Sequence, residues 1–128
     1  MKREVIEWVD KAEGDFVSAK REYQARKKPN FDATCFHAQQ SAEKYLKAYL
    51  QALNIPIPKT HDLVRLLSEI PPTPALESLR SGMATLTAYA VEFRYPGEYA
   101  SHEVAKEAIL LSGVVRDELR HLLSLSKD

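Results

Sequence analysis

The sequence predicts an all-α protein: an antiparallel, up-and-down four-helix bundle with one additional short helix. Two observations carry this reading. Apolar residues recur at steps of three and four through four long stretches, with proline pairs and capping residues between them. No stretch shows the two-residue alternation of a strand. The connections are short, as such bundles require.

Arg3 to Lys28 reads as the first helix, with Val5, Val9, Ala12, Phe16, Ala19 and Tyr23 as its inward seam. Acids (Glu4, Glu7, Asp10, Glu13, Asp15) crowd its first half and bases (Lys20, Arg21, Arg26, Lys27, Lys28) its second, complementing the helix dipole. Gly14 costs this helix about 1 kcal/mol against alanine and marks a point where a neighbour can approach closely. Trp8 lies off the seam, either as a flank of the core or as an exposed anchor. Pro29 and Asn30 break the pattern, and Asn30 or Asp32 caps the second helix.

That second helix, Asp32 to Leu53, is the stretch around which the chain is organised. Cys35, Ala38, Ala42, Leu46, Tyr49 and Leu53 form one narrow apolar stripe at about 100° per residue. His37, Gln40, Lys44 and Lys47 step three, four and three residues and form a second stripe, expected on the opposite, solvent-facing side. After a stiff loop holding Pro56 and Pro58, Thr60 is placed to cap a short helix from His61 to Glu69, pinned by Leu63, Leu66, Leu67 and Ile70. Thr73 followed by Pro74 signals the next helix start, with Leu76, Leu79, Met83, Leu86, Ala90 and Phe93 as one continuous seam. Pro96 and Gly97 end it near Phe93. The last helix begins near Ser101 and turns Val104, Ala108, Leu111, Val115, Leu119 and Leu122 inward.

The 128 residues are read as one domain spanning positions 1–128. Eighteen basic and eighteen acidic side chains cancel, so no global field draws the protein to nucleic acid, and any such binding needs a local patch. The single cysteine excludes an internal disulfide and a CxxC zinc site. The four histidines lack metal-ligand spacing, and neither metal nor cofactor is expected. The charged N-terminus is unlike a signal peptide. The longest apolar run, Ala108 to Val115, is far short of the ~20 residues a membrane span needs. A cytoplasmic protein with no membrane partner is the expectation.

Three motifs in order resemble the HEPN family of small helical domains. They are Cys35-Phe36-His37-Ala38-Gln39-Gln40-Ser41-Ala42-Glu43-Lys44-Tyr45-Leu46-Lys47-Ala48, then Lys59-Thr60-His61-Asp62-Leu63, then Phe93-Arg94-Tyr95-Pro96. The resemblance covers nearly the whole chain. It implies a four-helix core, a homodimer, and pairing in trans with a minimal nucleotidyltransferase, often as a toxin–antitoxin couple. Many members are metal-independent ribonucleases with an Arg-x(4–6)-His motif; others bind nucleotides or RNA, or serve as partner subunits.

This chain departs from the nuclease pattern. Seven residues separate Arg94 from His102, and Pro96 and Gly97 lie between them. Metal-free RNA cleavage needs a proton-transfer group and a cation over the phosphorane, roles that His102 and Arg94 can fill. Arg116 and His121 fit the spacing literally, but sit about 140° apart on a helix and read as its solvated end. For phosphate or nucleotide binding the candidates are His37, Gln40, Lys44, Lys47, His61, Arg94 and Tyr95. Each also has a plain structural reading: a solvated row on the second helix, a packed histidine at 61, bundle-end packing for Tyr89, Tyr95 and Tyr99. The function expected is nucleotide or RNA binding with a nucleotidyltransferase partner. Ribonuclease action through Arg94 and His102 is the first alternative, and a ligand-free interaction subunit is the second.

Overall fold

The computed structural model describes residues 1–127, and among these the chain forms six helices. They are α1 (Arg3–Gln24), α2 (Phe31–Ala52), α3 (Leu63–Leu67), α4 (Pro74–Glu77), α5 (Arg80–Glu92) and α6 (His102–Leu122). The four longer ones, α1, α2, α5 and α6, make the antiparallel bundle. Helix α2 is its axis: it packs on α1, α6, α5 and α3, and its face with α1 is the most extensive.

Side-chain caps fix the starts of α2, α4 and α6. Asn30 Oδ1 accepts the Ala33 N–H at 3.0 Å, Thr73 Oγ1 accepts that of Leu76 at 3.2 Å, and Ser101 Oγ accepts that of Val104 at 3.1 Å. Fully buried alanines on α1 (Ala12, Ala19), α2 (Ala38, Ala42) and α6 (Ala105, Ala108) let the axes approach. The Ser112 hydroxyl of α6 donates to the Ala38 carbonyl of α2 at 2.7 Å, so even its polar atom is satisfied inside the core.

Several boundaries differ from the sequence expectation. Helix α1 stops at Gln24, because Ala25 turns extended and the chain reverses through Lys28 at φ +47. Pro29 disfavours helical angles at the residue before it, so Arg26, Lys27 and Lys28 lie in the turn. The short helix begins at Leu63, not His61. The Asp62 carboxylate takes the N–H groups of Val64 and Arg65, while Thr60 Oγ1 serves only the Asp62 N–H. The helix expected from Pro74 to Phe93 is broken at Ser78–Leu79. There the Leu79 N–H bonds the Leu76 carbonyl three residues back, and the Arg80 fork closes on Glu77 with two contacts of 3.0 Å. The seam survives the break: Leu76, Met83 and Leu86 are all buried.

Two further readings are corrected. No atom lies within 4 Å of a Cβ built on Gly14, so that glycine admits no neighbour; the close approach is at Gly82, where a Cβ would meet Leu111 at 2.9 Å. The Arg116 to His121 segment is also not simply a solvated end: His121 is exposed, but both arginines are enclosed. Arg116 grips the Glu13 carboxylate of α1 with Nε and Nη2 at 2.7 and 2.8 Å. Buried Arg120 donates to the Tyr45 hydroxyl at 3.0 Å, and Tyr45 donates in turn to Glu13. Burial pushes the Glu13 carboxyl up, but the Arg116 and Tyr45 hydrogen bonds outweigh it and hold the pKa below the usual value. Burial and the Glu13 contact push the Tyr45 phenol up to about 12.

These contacts set opposite expectations for two substitutions on α1. Gly14→Ala is expected to raise unfolding free energy by about 1 kcal/mol. Glu13→Ala removes the two-point partner of a mostly buried guanidinium, leaving it only Asp117 at 3.6 Å and the Lys127 carbonyl, and is expected to lower it by about 3 kcal/mol. Urea denaturation at neutral pH measures both.

Candidate functional site: a cleft between α2 and α5

Phe36 and Gln40 stand one turn apart on α2, facing Thr87 and Val91, one turn apart on α5. Between them lies a cleft of ≈ 210 Å³, lined also by His61 and Arg94. Arg94 is held there by the turn that leaves α5. Asp32 Oδ1 accepts the Ala100 N–H at 2.7 Å, tying the α5–α6 connection to the start of α2, and Gly97 supplies the turn at φ +89. A second cleft of ≈ 300 Å³ lies on the other side of Phe36; it shares Phe36, Ala90 and Arg94 and adds Asp32, Tyr89 and Phe93.

Three residues lining the first cleft, Gln39, Gln40 and His61, are held by a buried carboxylate. Glu43 is 3% exposed. Its Oε1 accepts from Gln39 at 3.2 Å and faces His61 Nδ1 at 2.9 Å, and its Oε2 accepts from Lys47 at 2.9 Å. Burial pushes the Glu43 carboxyl up, but the Lys47 and His61 hydrogen bonds more than offset that and hold it below its ordinary value. An ionised carboxylate only accepts, so His61 Nδ1 carries hydrogen and Nε2 is the ring atom left for a ligand. Gln39 also donates to the His61 carbonyl at 2.7 Å, which fixes the backbone of that residue against α2.

The outward row expected on α2 is not outward. Helix α1 covers it, because α2 has neighbours on most sides. His37 Nδ1 lies 2.8 Å from Asp15 Oδ1, and Lys44 pairs with the other oxygen of Asp15. Lys47 is enclosed between Glu43 and the Trp8 ring, whose centroid is 5.6 Å away. Trp8 is thus a flank of the core. Of the row, only Gln40 lines the cleft, together with His61 and Arg94. Tyr95 is 59% exposed and lines neither cleft.

Arg94 and His102 are not brought together within the chain. The His102 ring stacks on Tyr23 at 5.0 Å and meets Phe31 edge-on at 5.6 Å. Among the described residues neither a hydrogen bond nor an ion pair joins it to Arg94, and it lines neither of the clefts that Arg94 lines. Arg94 itself has no acidic partner among the described residues, unlike Lys44, Lys47 and Arg116.

Sequence reasoning missed Phe36, Thr87 and Val91 as walls, and the buried carboxylate of Glu43. One signal was available. Small residues flank Glu43 on both sides (Ser41, Ala42, Ala48), which marks a helix packed too tightly for its polar groups to reach solvent. Cys35 is fully buried, and burial with the nearby Asp32 charge pushes its thiol up to about 12, so it is inert at neutral pH. Among the described residues no three His, Cys, Asp or Glu side chains gather as a metal site, and no helix is long and apolar enough to cross a membrane.

A bundle threaded on one central polar helix, with a cation at the turn before its last helix, defines a class of small helical domains. The chain belongs to the HEPN domain family, whose profile matches residues 5–122. Two crystal structures share the fold. TT1696 from Thermus thermophilus superposes with a TM-score of 0.81 at 21% identity, covering 94% of this chain and 98% of that one. ST0689, an archaeal HEPN homologue, superposes with a TM-score of 0.77 at 24% identity, covering 96% and 99%. No curated protein matches.

The depressed carboxyls give stability a pH dependence. Glu43 and Glu13 both have folded values below the ordinary 4.5, so the unfolded chain binds more protons as acid is added. Their contribution is fully present above pH 4.5 and is lost as pH falls through the lower folded values. Urea midpoints at about pH 6 and about pH 3 are expected to fall with acid in the native protein, and to fall less in Glu43→Gln, which starts from a lower stability at the higher pH.

Proposed function

We propose that the protein binds a nucleotide or an RNA phosphate in the α2–α5 cleft. In this reading it acts as a homodimer with a nucleotidyltransferase-type protein supplied in trans, as one member of a toxin–antitoxin-like pair. One observation supports the binding site above the rest. The Arg94 guanidinium, unpaired among the described residues, shares a cleft with the imidazole of His61 and the amide of Gln40. A guanidinium takes a phosphate through two parallel hydrogen bonds. Gln40 Nε2 already donates to Gln39 Oε1 at 2.8 Å and His61 Nδ1 faces Glu43, so Gln40 Oε1 and His61 Nε2 are left to accept from the nucleoside that the phosphate carries. The partner and the pairing rest on family membership.

Cleavage of RNA by an Arg94–His102 pair draws no support from the geometry of one chain, because the His102 ring is engaged with Tyr23 and Phe31. Self-association has an uncovered face to draw on: Leu110 and Val114, one turn apart on α6, are 61% and 51% exposed.

Titration of a labelled oligoribonucleotide, followed by fluorescence anisotropy, tests the site. Arg94→Ala is expected to weaken binding about tenfold or more, the worth of a charge-assisted contact. Lys44→Ala is expected to change it less than twofold, since Asp15 already holds that ammonium. Equal losses in the two variants would place the ligand elsewhere. Leu110→Glu is expected to shift the native oligomer toward monomer in light scattering, with the melting temperature preserved.

A further inference from the structure

We infer that the ligand is a step of single-stranded RNA, two nucleosides joined by one phosphate, rather than an isolated mononucleotide. The inference rests on the phosphate-binding reading above and adds the ligand's length and strandedness. It comes from the way two clefts meet at Arg94. Their volumes are ≈ 210 and ≈ 300 Å³, at or below the lower end of the usual range for a small-molecule site. Each suits one part of a ligand, and Phe36 and Arg94 belong to both.

The two linings differ in chemistry. The first offers Gln40, Thr87 and the Nε2 edge of His61, groups that recognise a base edge or a ribose hydroxyl. The second offers the rings of Tyr89 and Phe93, whose centroids are 5.8 Å apart. The Tyr89 hydroxyl is tied to Glu107 of α6, which steadies that ring. Phe36 stands between the clefts, 44% exposed on a helix that is otherwise mostly covered. An exposed ring beside a free cation is the platform on which an unpaired base stacks.

Charge limits the ligand to one phosphate. Asp32 lines the second cleft and repels an anion there, so a phosphate at that end is disfavoured. The linking phosphate sits at Arg94, one base lies on the aromatic side, and the other nucleoside lies among the polar groups. Bases held in a duplex cannot splay into both clefts, so the strand must be single.

Calorimetric titration with AMP, with the dinucleoside monophosphate ApA and with a short RNA duplex tests this. ApA is expected to bind about tenfold tighter than AMP, the worth of one stacked base, and the duplex not to compete with it. Phe36→Ala, which removes a wall shared by both clefts, is expected to weaken ApA about tenfold or more and AMP by less, with the melting temperature unchanged because the ring is exposed. AMP binding as tightly as ApA, or duplex competing equally, overturns the inference and leaves the phosphate site standing. Failure of both AMP and ApA to bind overturns the phosphate reading itself.

Discussion

A carboxylate as deeply buried as Glu43 must be either satisfied or protonated, and α2 is built to keep it charged. Gln39 and Lys47 come from the same helix, four residues before and after it, and His61 arrives from the next connection. Each contact fixes more than the charge. Lys47 is clamped against Trp8 of α1, and His61 is set at the mouth of the cleft, just before the Asp62 cap of α3. A buried pair contributes little net stability over apolar packing, but breaking one side is costly, so the network resists piecemeal change. It defines where the helices sit rather than how strongly they hold.

The same enclosure explains why the cleft holds so few charges. Asp15 and Glu43 take up Lys44 and Lys47, and Glu13 takes up Arg116. Arg94 escapes because it lies past the end of α5; Asp32, which shares a cleft with it, is engaged by the Ala100 N–H, and among the described residues no carboxylate comes within ion-pair distance of Arg94. A surface carrying the whole cationic row would attract polyanions through counterion release with little discrimination. A single guanidinium flanked by an imidazole, an amide and a ring is suited, in the proposed reading, to one phosphate and what is attached to it.

The helices and their seams were legible because burial repeats every three or four residues and needs no knowledge of the neighbours. Val5, Val9, Ala12 and Ala19 on α1, and Ala108, Val115 and Leu119 on α6, are buried as their spacing requires. The direction of the polar row on α2 was not legible. Spacing places His37, Lys44 and Lys47 on one face, but whether that face meets water depends on α1, which crosses it with Asp15. Arg116 and Arg120 read as solvent residues for the same reason, since their partners lie on other helices. The break at Leu79 depends on which carbonyl one N–H chooses, a local matter that residue type does not fix. Arg94 and His61 came to notice through family resemblance; nothing in their spacing joins them across 33 residues of chain.

Cys35 has a practical consequence. It is the sole cysteine of the chain, wholly enclosed, with its thiol held protonated far above neutrality. A cysteine introduced on the exterior will therefore be the one sulfur that a maleimide meets in a folded sample. Spin labels or dye pairs can be installed at chosen positions without first replacing the native residue, which makes distances between helices accessible in solution.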